Sequence, residues 1–506
     1  MSDVQGSVAY EKVGDEYFAK RGLRRYAGVA SLWALGVGAV ISGHFSGWNF
    51  GLGAGGWGGL FIAAILIAIM YLGLVFSIAE MSPALPHTGA AYSFARSAMG
   101  PWGGFITGLC ENVEYVITPA VVVSFIGAYL GGIFGTPAEF QPVYWVFGYI
   151  VFVGLNVWGV ELSFRVTLIV TLLALACLVA FWISAIPVAD FSRWALNIAA
   201  DGSQIEGGNG PFLPMGIYGA LAALPYAVWL FLAIEQLPLA AEESIDPKRD
   251  MPKGIILGMV TLIISAFMIL WLNSSIPIQK PLEGGGFAEG AFAMSTSAEP
   301  LLDGFSAIYG ADIAAYLALI AVIGLIASFH TIIFAQGRQI YSLSRAGYFP
   351  RALSVTHGTR KTPHVAMLAG AAVGLGVMLS IWFYLGPEAG SAQIGTTLLN
   401  MAVFGAMLSY VAQAVSFIVL RRTHAHIERP YRSPLGIPGA TVTIGIALVT
   451  IGFQLLDPSF RNAVLGVAAW FVLGLLYFAL VGRKKLVLSP EEEFALSKGE
   501  AEYKSH

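Results

Sequence analysis

Apolar runs of about twenty residues, separated by short polar breaks, recur from residue 29 to residue 482 of this 506-residue chain. A run of that length crosses the hydrocarbon of a bilayer as an α-helix, whereas the strands of a membrane barrel would alternate and be half as long. The chain is 57% hydrophobic and 11% charged, against about a quarter charged in a soluble protein, and its mean hydropathy is +0.73. The pattern predicts an all-α integral membrane protein of twelve transmembrane helices. Their expected spans are 29–56, 58–81, 101–133, 142–160, 164–187, 214–241, 254–278, 307–341, 363–386, 393–420, 438–456 and 461–482.

The basic residues set the orientation. An even number of spans puts both termini on one side, and that side collects all of the 27 lysines and arginines except Arg193, Lys280 and Arg461. By the positive-inside rule both termini are cytoplasmic, in the cell's inner membrane. Residues 1–28 are charged and lack the apolar core of a cleavable signal, so they are expected to form a cytoplasmic tail, with a second tail at 483–506 and an extracytoplasmic loop at 188–213. Cys110 and Cys177 both fall in predicted helices and suggest no disulfide framework.

Four glutamates lie inside the span limits: Glu80, Glu111, Glu114 and Glu235. An ionisable group at such depth must pair or line a wet cavity. Glu80, at a span end, is expected to cap backbone amides or pair with a loop arginine. Glu111 and Glu114 are three residues apart and share a helix face, so one of them should be protonated or neutralised by a cation. An internal hydrogen-bond network is the structural alternative for both.

Two spans are interrupted. The first reads AVISGHFSGWNFG over 39–51, with polar residues and glycines in an otherwise apolar segment. The sixth carries Pro225 and Pro238 on either side of Glu235, and each proline removes an amide donor. A broken helix is tolerated in a membrane only where its freed backbone groups face protein or a water-filled cavity. Two such breaks, one in each half, point to a secondary transporter built from inverted repeats. Gly43 and Gly47 would let the first span unwind and offer amides and carbonyls to a solute. Glycines four apart also make a close-packing face, but packing alone does not call for Ser42, His44 and Asn49 in the same turns.

With these residues in view, the chain resembles the amino acid-polyamine-organocation transporters, and within them the ethanolamine permease branch, over residues 25 to 480. The resemblance is carried by GVGAVISG with SGWNFG, LPHTGAAYSFARSAMGPWGGF at 85–105, VEYVITPA at 113–120, the LAIE to DPKR block at 232–249 and YSLSRAGYFP at 341–350. It implies a five-plus-five inverted-repeat core, with spans 1–5 in 29–187 and spans 6–10 in 214–420. Spans one and six are unwound around the substrate, and two further helices lie within 438–482. It also implies alternating access, with Trp229 as an aromatic gate over a substrate held by Ser42, Gly43, His44, Gly47, Glu114, Trp229, Ala233 and Glu235.

The resemblance also has departures. The branch usually carries an acidic residue where this chain has His44, which bears on the choice of substrate; a structural hydrogen bond from His44 to a buried glutamate is the other reading. Sodium-coupled relatives pair two hydroxyls on the eighth span, where IASFHTIIF offers Ser328 alone, and proton-coupled relatives place a lysine on the fifth, where none lies past Arg165. Glu114, Glu235, His44 and Glu111 remain the candidate proton-coupling groups and Ser328 the sodium candidate.

Other classes fit less well. A sensor would want a substantial cytoplasmic domain. For an enzyme there is no nucleophile motif or metal-ligand cluster: the HAH at 424–426 is too closely spaced for a helix-borne metal pair, and GAGGWGG at 53–59 lacks the strand and GK[ST] of a phosphate loop. The expected function is import of a small amine, ethanolamine foremost, or of an amino acid or other amino alcohol. The partners are that solute, a coupling proton or sodium ion, and the lipid bilayer; no cofactor, metal or nucleic acid is expected.

Overall fold

A computed structural model describes residues 3–5, 7–11, 13–85, 87, 89–196, 209–281 and 287–488. Part of the expected 188–213 loop and the expected tail beyond residue 488 therefore lie outside the described residues. Sixteen helices follow in chain order: α1 Asp15–Ala19, α2 Val29–Val40, α3 Ser42–Phe45, α4 Phe50–Ala84, α5 Ala90–Phe134, α6 Gln141–Trp158, α7 Val160–Ala185 and α8 Gly216–Trp229, then α9 Pro247–Leu272, α10 Gly290–Ser295, α11 Pro300–Tyr309, α12 Ala311–Arg345, α13 His364–Leu385, α14 Pro387–Thr423, α15 Gly436–Leu456 and α16 Arg461–Leu480. Two short antiparallel ribbons, β1 Asp3–Gln5 with β2 Val8–Tyr10 and β3 Gln279–Pro281 with β4 Phe287–Glu289, are the strands among the described residues.

Among the described residues, eleven helical segments are long and apolar enough to cross a membrane, and Val29–Val40 is a shorter apolar helix. The difference from the expected twelve lies in the first span. Its helix stops at Val40, turns once more over Ser42–Phe45, and resumes at Phe50 in a segment that runs on into the second span. Gly56 separates the two pieces, with φ 67. Gly100, at φ 76, makes a similar corner in α5, and Pro101 restarts the helix beside it, which is where the third span was expected to begin. Proline suits a first helical position because its missing N–H has no partner there anyway.

The sixth span opens between its two prolines, just before Glu235. Helix α8 runs through Pro225 to Trp229, the chain opens over Leu230–Ala233, and a 3₁₀ segment Ile234–Glu243 contains Pro238. A single lost amide hydrogen bond is absorbed by neighbouring helices in a membrane bundle. The turn is made at Ala233, with φ 83, a conformation a residue with a side chain seldom adopts.

Helices α2, α3, α8 and the 3₁₀ segment form the centre, packed by α4, α5, α9, α12 and α14. The N-terminal segment is docked on the end of the bundle. Glu11 N–H donates to the Leu486 carbonyl (2.8 Å), the Tyr17 hydroxyl donates to the Arg345 carbonyl (2.7 Å), and the Tyr26 and Ala27 N–H groups donate to the Glu243 carbonyl (2.8 and 2.9 Å). Glu80 accepts from Arg421 (2.6 and 2.9 Å) and from Ser433 N–H (2.7 Å), and pairs with Arg429 (3.0 Å).

Candidate functional site

The two breaks meet face to face. A Cβ on Gly43 would stand 2.2 Å from the Trp229 carbonyl oxygen, and one on Gly47 would stand 2.6 Å from its indole nitrogen. Gly43 thus serves close approach. Gly47 also turns the chain, at φ 96, where glycine carries no steric penalty. Trp229 closes this junction by donating its indole N–H to the Ser46 carbonyl (3.0 Å).

On the second break, the Ala233 N–H donates to Glu235 Oε1 (3.1 Å), so the carboxyl caps the start of the 3₁₀ segment. The Glu235 side chain also meets those of Glu114 and Tyr410, and Tyr410 shares a hydroxyl contact of 3.0 Å with Tyr71. Neither oxygen of the fully buried Glu114 carboxyl receives a hydrogen bond from an N–H or hydroxyl group, nor does Glu235 Oε2. Glu111 lies one turn back along α5, equally buried and beside the Tyr92 backbone. The structure therefore brings Glu114 and Glu235 together without a lysine or arginine among the described residues: the buried Arg338 is held by Glu243 instead, at 2.7 and 3.1 Å.

His44 is not among the glutamates. Its Nε2 lies 3.0 Å from the Leu230 carbonyl and its Nδ1 lies 2.8 Å from the Ser265 hydroxyl of α9. A carbonyl only accepts, so Nε2 carries the hydrogen and Nδ1 accepts from Ser265. The imidazole ties the first break to the second and to α9. Ser42 donates to Ser328 (2.8 Å), whose hydroxyl donates to the Ala39 carbonyl. Three oxygens gather there, the second hydroxyl coming from span one. Among the described residues no cluster of three or more His, Cys, Asp or Glu side chains is placed to hold a metal ion.

Both ends of this junction are tied. On one side Asn49 donates to the Met294 and Ser297 carbonyls (2.7 and 2.8 Å) and Ser46 donates to the Ala298 carbonyl (2.7 Å), all in the hairpin of α10 and α11. Tyr129 donates to the Phe45 carbonyl (2.8 Å) and accepts from Leu301 N–H (3.1 Å). The same hairpin buries Glu299 near Asp303 and Lys280. Burial pushes its carboxyl up to about 7, with Asp303 adding to the rise and Lys280 opposing it. On the other side, Arg338 and Glu243 form a pair with no solvent exposure, and Arg345 pairs with Glu242 at 2.7 Å.

Sequence reasoning missed Tyr71, Tyr410, Tyr129 and Ser265. As isolated tyrosines and a serine in apolar helices they carry no local signal. Glu243 with Arg338 could have been suspected, since both stand at span ends and the glutamate belongs to the DPKR block.

A sequence profile described as amino acid permease matches residues 31–489. The chain is 25% identical to the branched-chain amino acid permease BcaP of Bacillus subtilis, covering 95% of this chain and 99% of that one. It is 24% identical to the methylthioribose transporter of the same organism, covering 93% and 96%. Among solved structures it resembles a manganese transporter of Eremococcus coleocola, solved with an aromatic bis-isothiourea substituted compound, at a TM-score of 0.53 and 13% identity, with 94% of this chain and 98% of that one covered. That likeness concerns the fold. With the profile spanning most of its length and its helices apolar enough to span a bilayer, this chain belongs to the amino acid permease family of multi-pass membrane transporters.

Proposed function

We propose that this protein is a secondary transporter that imports a small solute bearing an ammonium group, and that the solute's ammonium seats at the Glu114–Glu235 pair. One observation carries the reading. Two buried carboxyls face each other where the broken spans meet, with no basic side chain among the described residues to neutralise them. Such a pair needs a shared proton or a cation. A protonated amine supplies the charge, and Trp229, six residues before Glu235 on the same broken span, offers an aromatic surface of the kind that attracts cations. Two carboxylates carry two charges, so the amine neutralises one and a proton entering with it neutralises the other, which makes Glu114 and Glu235 the proton-coupling groups of this proposal, with Glu111 one turn away.

The proposed architecture is twelve crossings, with both termini cytoplasmic in the inner membrane. Spans 1–5 over 29–187 and spans 6–10 over 214–420 form the two repeats, followed by two helices within 438–482. Support comes from the paired breaks and from the sorting of basic residues. The α10–α11 hairpin then lies outside and the Arg338–Glu243 pair inside, and alternating access consists of releasing one set of contacts while keeping the other.

The substrate reading divides on two observations. The carboxyl pair favours ethanolamine, an ammonium with no carboxylate to place. The names of the relatives favour an amino acid, whose carboxylate would bind the peptide N–H groups of the first break. Uptake of labelled ethanolamine into proteoliposomes, with and without a proton or sodium gradient and with amino acids as competitors, tests both. Accumulation driven by a proton gradient and indifferent to amino acids supports the amine; competition by a branched-chain amino acid, with ethanolamine ignored, moves the assignment to an amino acid. Sodium-driven uptake would shift the coupling site to Ser42, Ser328 and the Ala39 carbonyl.

A further inference from the structure

Between α5, α13, α14 and α16 the bundle leaves a crevice whose lining includes none of Gly43, Gly47, Trp229, Glu114 and Glu235. One part is a cavity of about 670 Å³ and the other a cavity of about 340 Å³. Asn112, Val116, Val373, Trp470 and Leu473 line both, so the two form one slot. Along α16 the lining runs from Asn462 to Tyr477, roughly 22 Å of helix at 1.5 Å per residue. That is most of the ~30 Å hydrocarbon thickness of a bilayer.

The lining contains no Lys, Arg, Asp or Glu. Uncharged polar side chains gather at the end nearest the turn between α13 and α14: Ser380, Tyr384, Gln393 and Asn462. The slot continues into lipid-facing surface, since Tyr384 is 89% and Leu473 66% exposed. Its outer wall, α16, is scarcely covered by protein.

We infer that this slot seats one acyl chain of a membrane phospholipid, with the polar head at the Ser380, Tyr384, Gln393 and Asn462 end. A charge-free lining matches a hydrocarbon chain, and the opening faces the phase in which such chains are the solvent. The seated chain lies against Val113 and Val116, which flank Glu114 on α5. Occupancy therefore bears on the helix that carries the buried carboxyl. This inference stands on the crevice alone and does not depend on which solute is carried.

The test is native mass spectrometry of the full-length protein purified in mild detergent, reading phospholipid retained per chain. Ala469→Trp fills the slot from its lipid side and Val377→Phe fills it more gently. Leu465→Trp, on α16 but outside the lining, is the control, and size-exclusion elution reports folding for each. The expected result is one retained phospholipid on the wild type and on L465W, with at least a tenfold lower retained fraction in A469W and V377F. Equal retention in a folded slot-filled variant, or a wild type that keeps no lipid, overturns the proposal. So does a wild-type dimer that A469W dissociates, which would assign the slot to a second copy.

Discussion

The Trp229 indole N–H donates to the Ser46 carbonyl oxygen across 3.0 Å, joining the last turn of α8 to the unwound part of span one. The contact crosses from one broken span to the other, so neither half can swing outward without releasing it. Replacing Trp229 with Leu removes this bond, worth about 1 kcal/mol net, and much of the indole's packing. Uptake should fall about tenfold with the protein level in the membrane unchanged. An unaltered rate, measured per molecule of protein, would remove Trp229 from the gate.

Glu235 both caps the second break and faces Glu114. Glu235→Gln keeps an oxygen for the Ala233 N–H but cannot carry the charge. The variant should therefore fold, keep its thermal stability to within about 1 kcal/mol, and lose transport. Normal uptake by a folded E235Q protein would refute a role for the carboxyl.

Glu243 and Arg338 are fully buried and bonded twice, and the guanidinium lies 3.5 Å over the Phe334 ring. Removing one partner of such a pair leaves an uncompensated charge and costs roughly 3–5 kcal/mol. Glu243→Ala should unfold at a markedly lower temperature, and the double change Glu243→Leu with Arg338→Met should recover much of the loss. A thermal shift assay in detergent reads both; equal stability of the single and double variants would contradict the account.

The hairpin over the first break should respond to pH through Glu299. Its carboxyl is raised by burial from 4.5 to about 7, so docking binds a proton that the undocked carboxyl would release. Docking is then fully favoured below about pH 4.5 and weakens as pH rises through 7. Labelling of a Ser297→Cys variant by a membrane-impermeant thiol reagent should increase across that interval beyond the reagent's own pH dependence, measured on an exposed cysteine. Glu299→Gln should flatten the excess. Labelling that tracks the exposed control alone would contradict the assignment.

His44 spans the Leu230 carbonyl and the Ser265 hydroxyl. His44→Ala leaves both without this partner and should cost about 1–3 kcal/mol for the buried groups left unsatisfied, with a lower melting temperature and slower uptake. The order of preferred substrates should stay the same, because the ring faces α9 and not the carboxyl pair. A changed substrate order in His44→Ala would return His44 to the substrate.

Much of the fold was legible because the spans announce themselves by local composition, and the breaks did so too. The first break at 42–47 was visible from its glycines and polar side chains. The sixth was visible from its prolines, and the opening falls between them, at Leu230–Ala233, while α8 continues through Pro225. The partner of Glu80 was legible as a class, a loop arginine, but not as Arg421 and Arg429. Pairings across hundreds of residues were not legible at all. Asn49 was legible only as a polar residue in the broken turns, not as the side chain that holds the α10–α11 hairpin. The docked N-terminal segment, expected as a tail, meets residue 486 through backbone bonds that leave no mark on composition. Hydrophobic periodicity reports which face of an element is buried, not what it is buried against.

The central claim is that the Glu114–Glu235 pair receives an ammonium group, and calorimetric binding to the purified protein tests it most directly. Ethanolamine, ethylene glycol and a panel of amino acids would be titrated into wild-type and Glu114→Gln proteins. The account predicts that amine-bearing ligands bind the wild type, that ethylene glycol does not, and that Glu114→Gln weakens amine binding at least tenfold. Equal binding of ethanolamine by wild-type and Glu114→Gln proteins would contradict it.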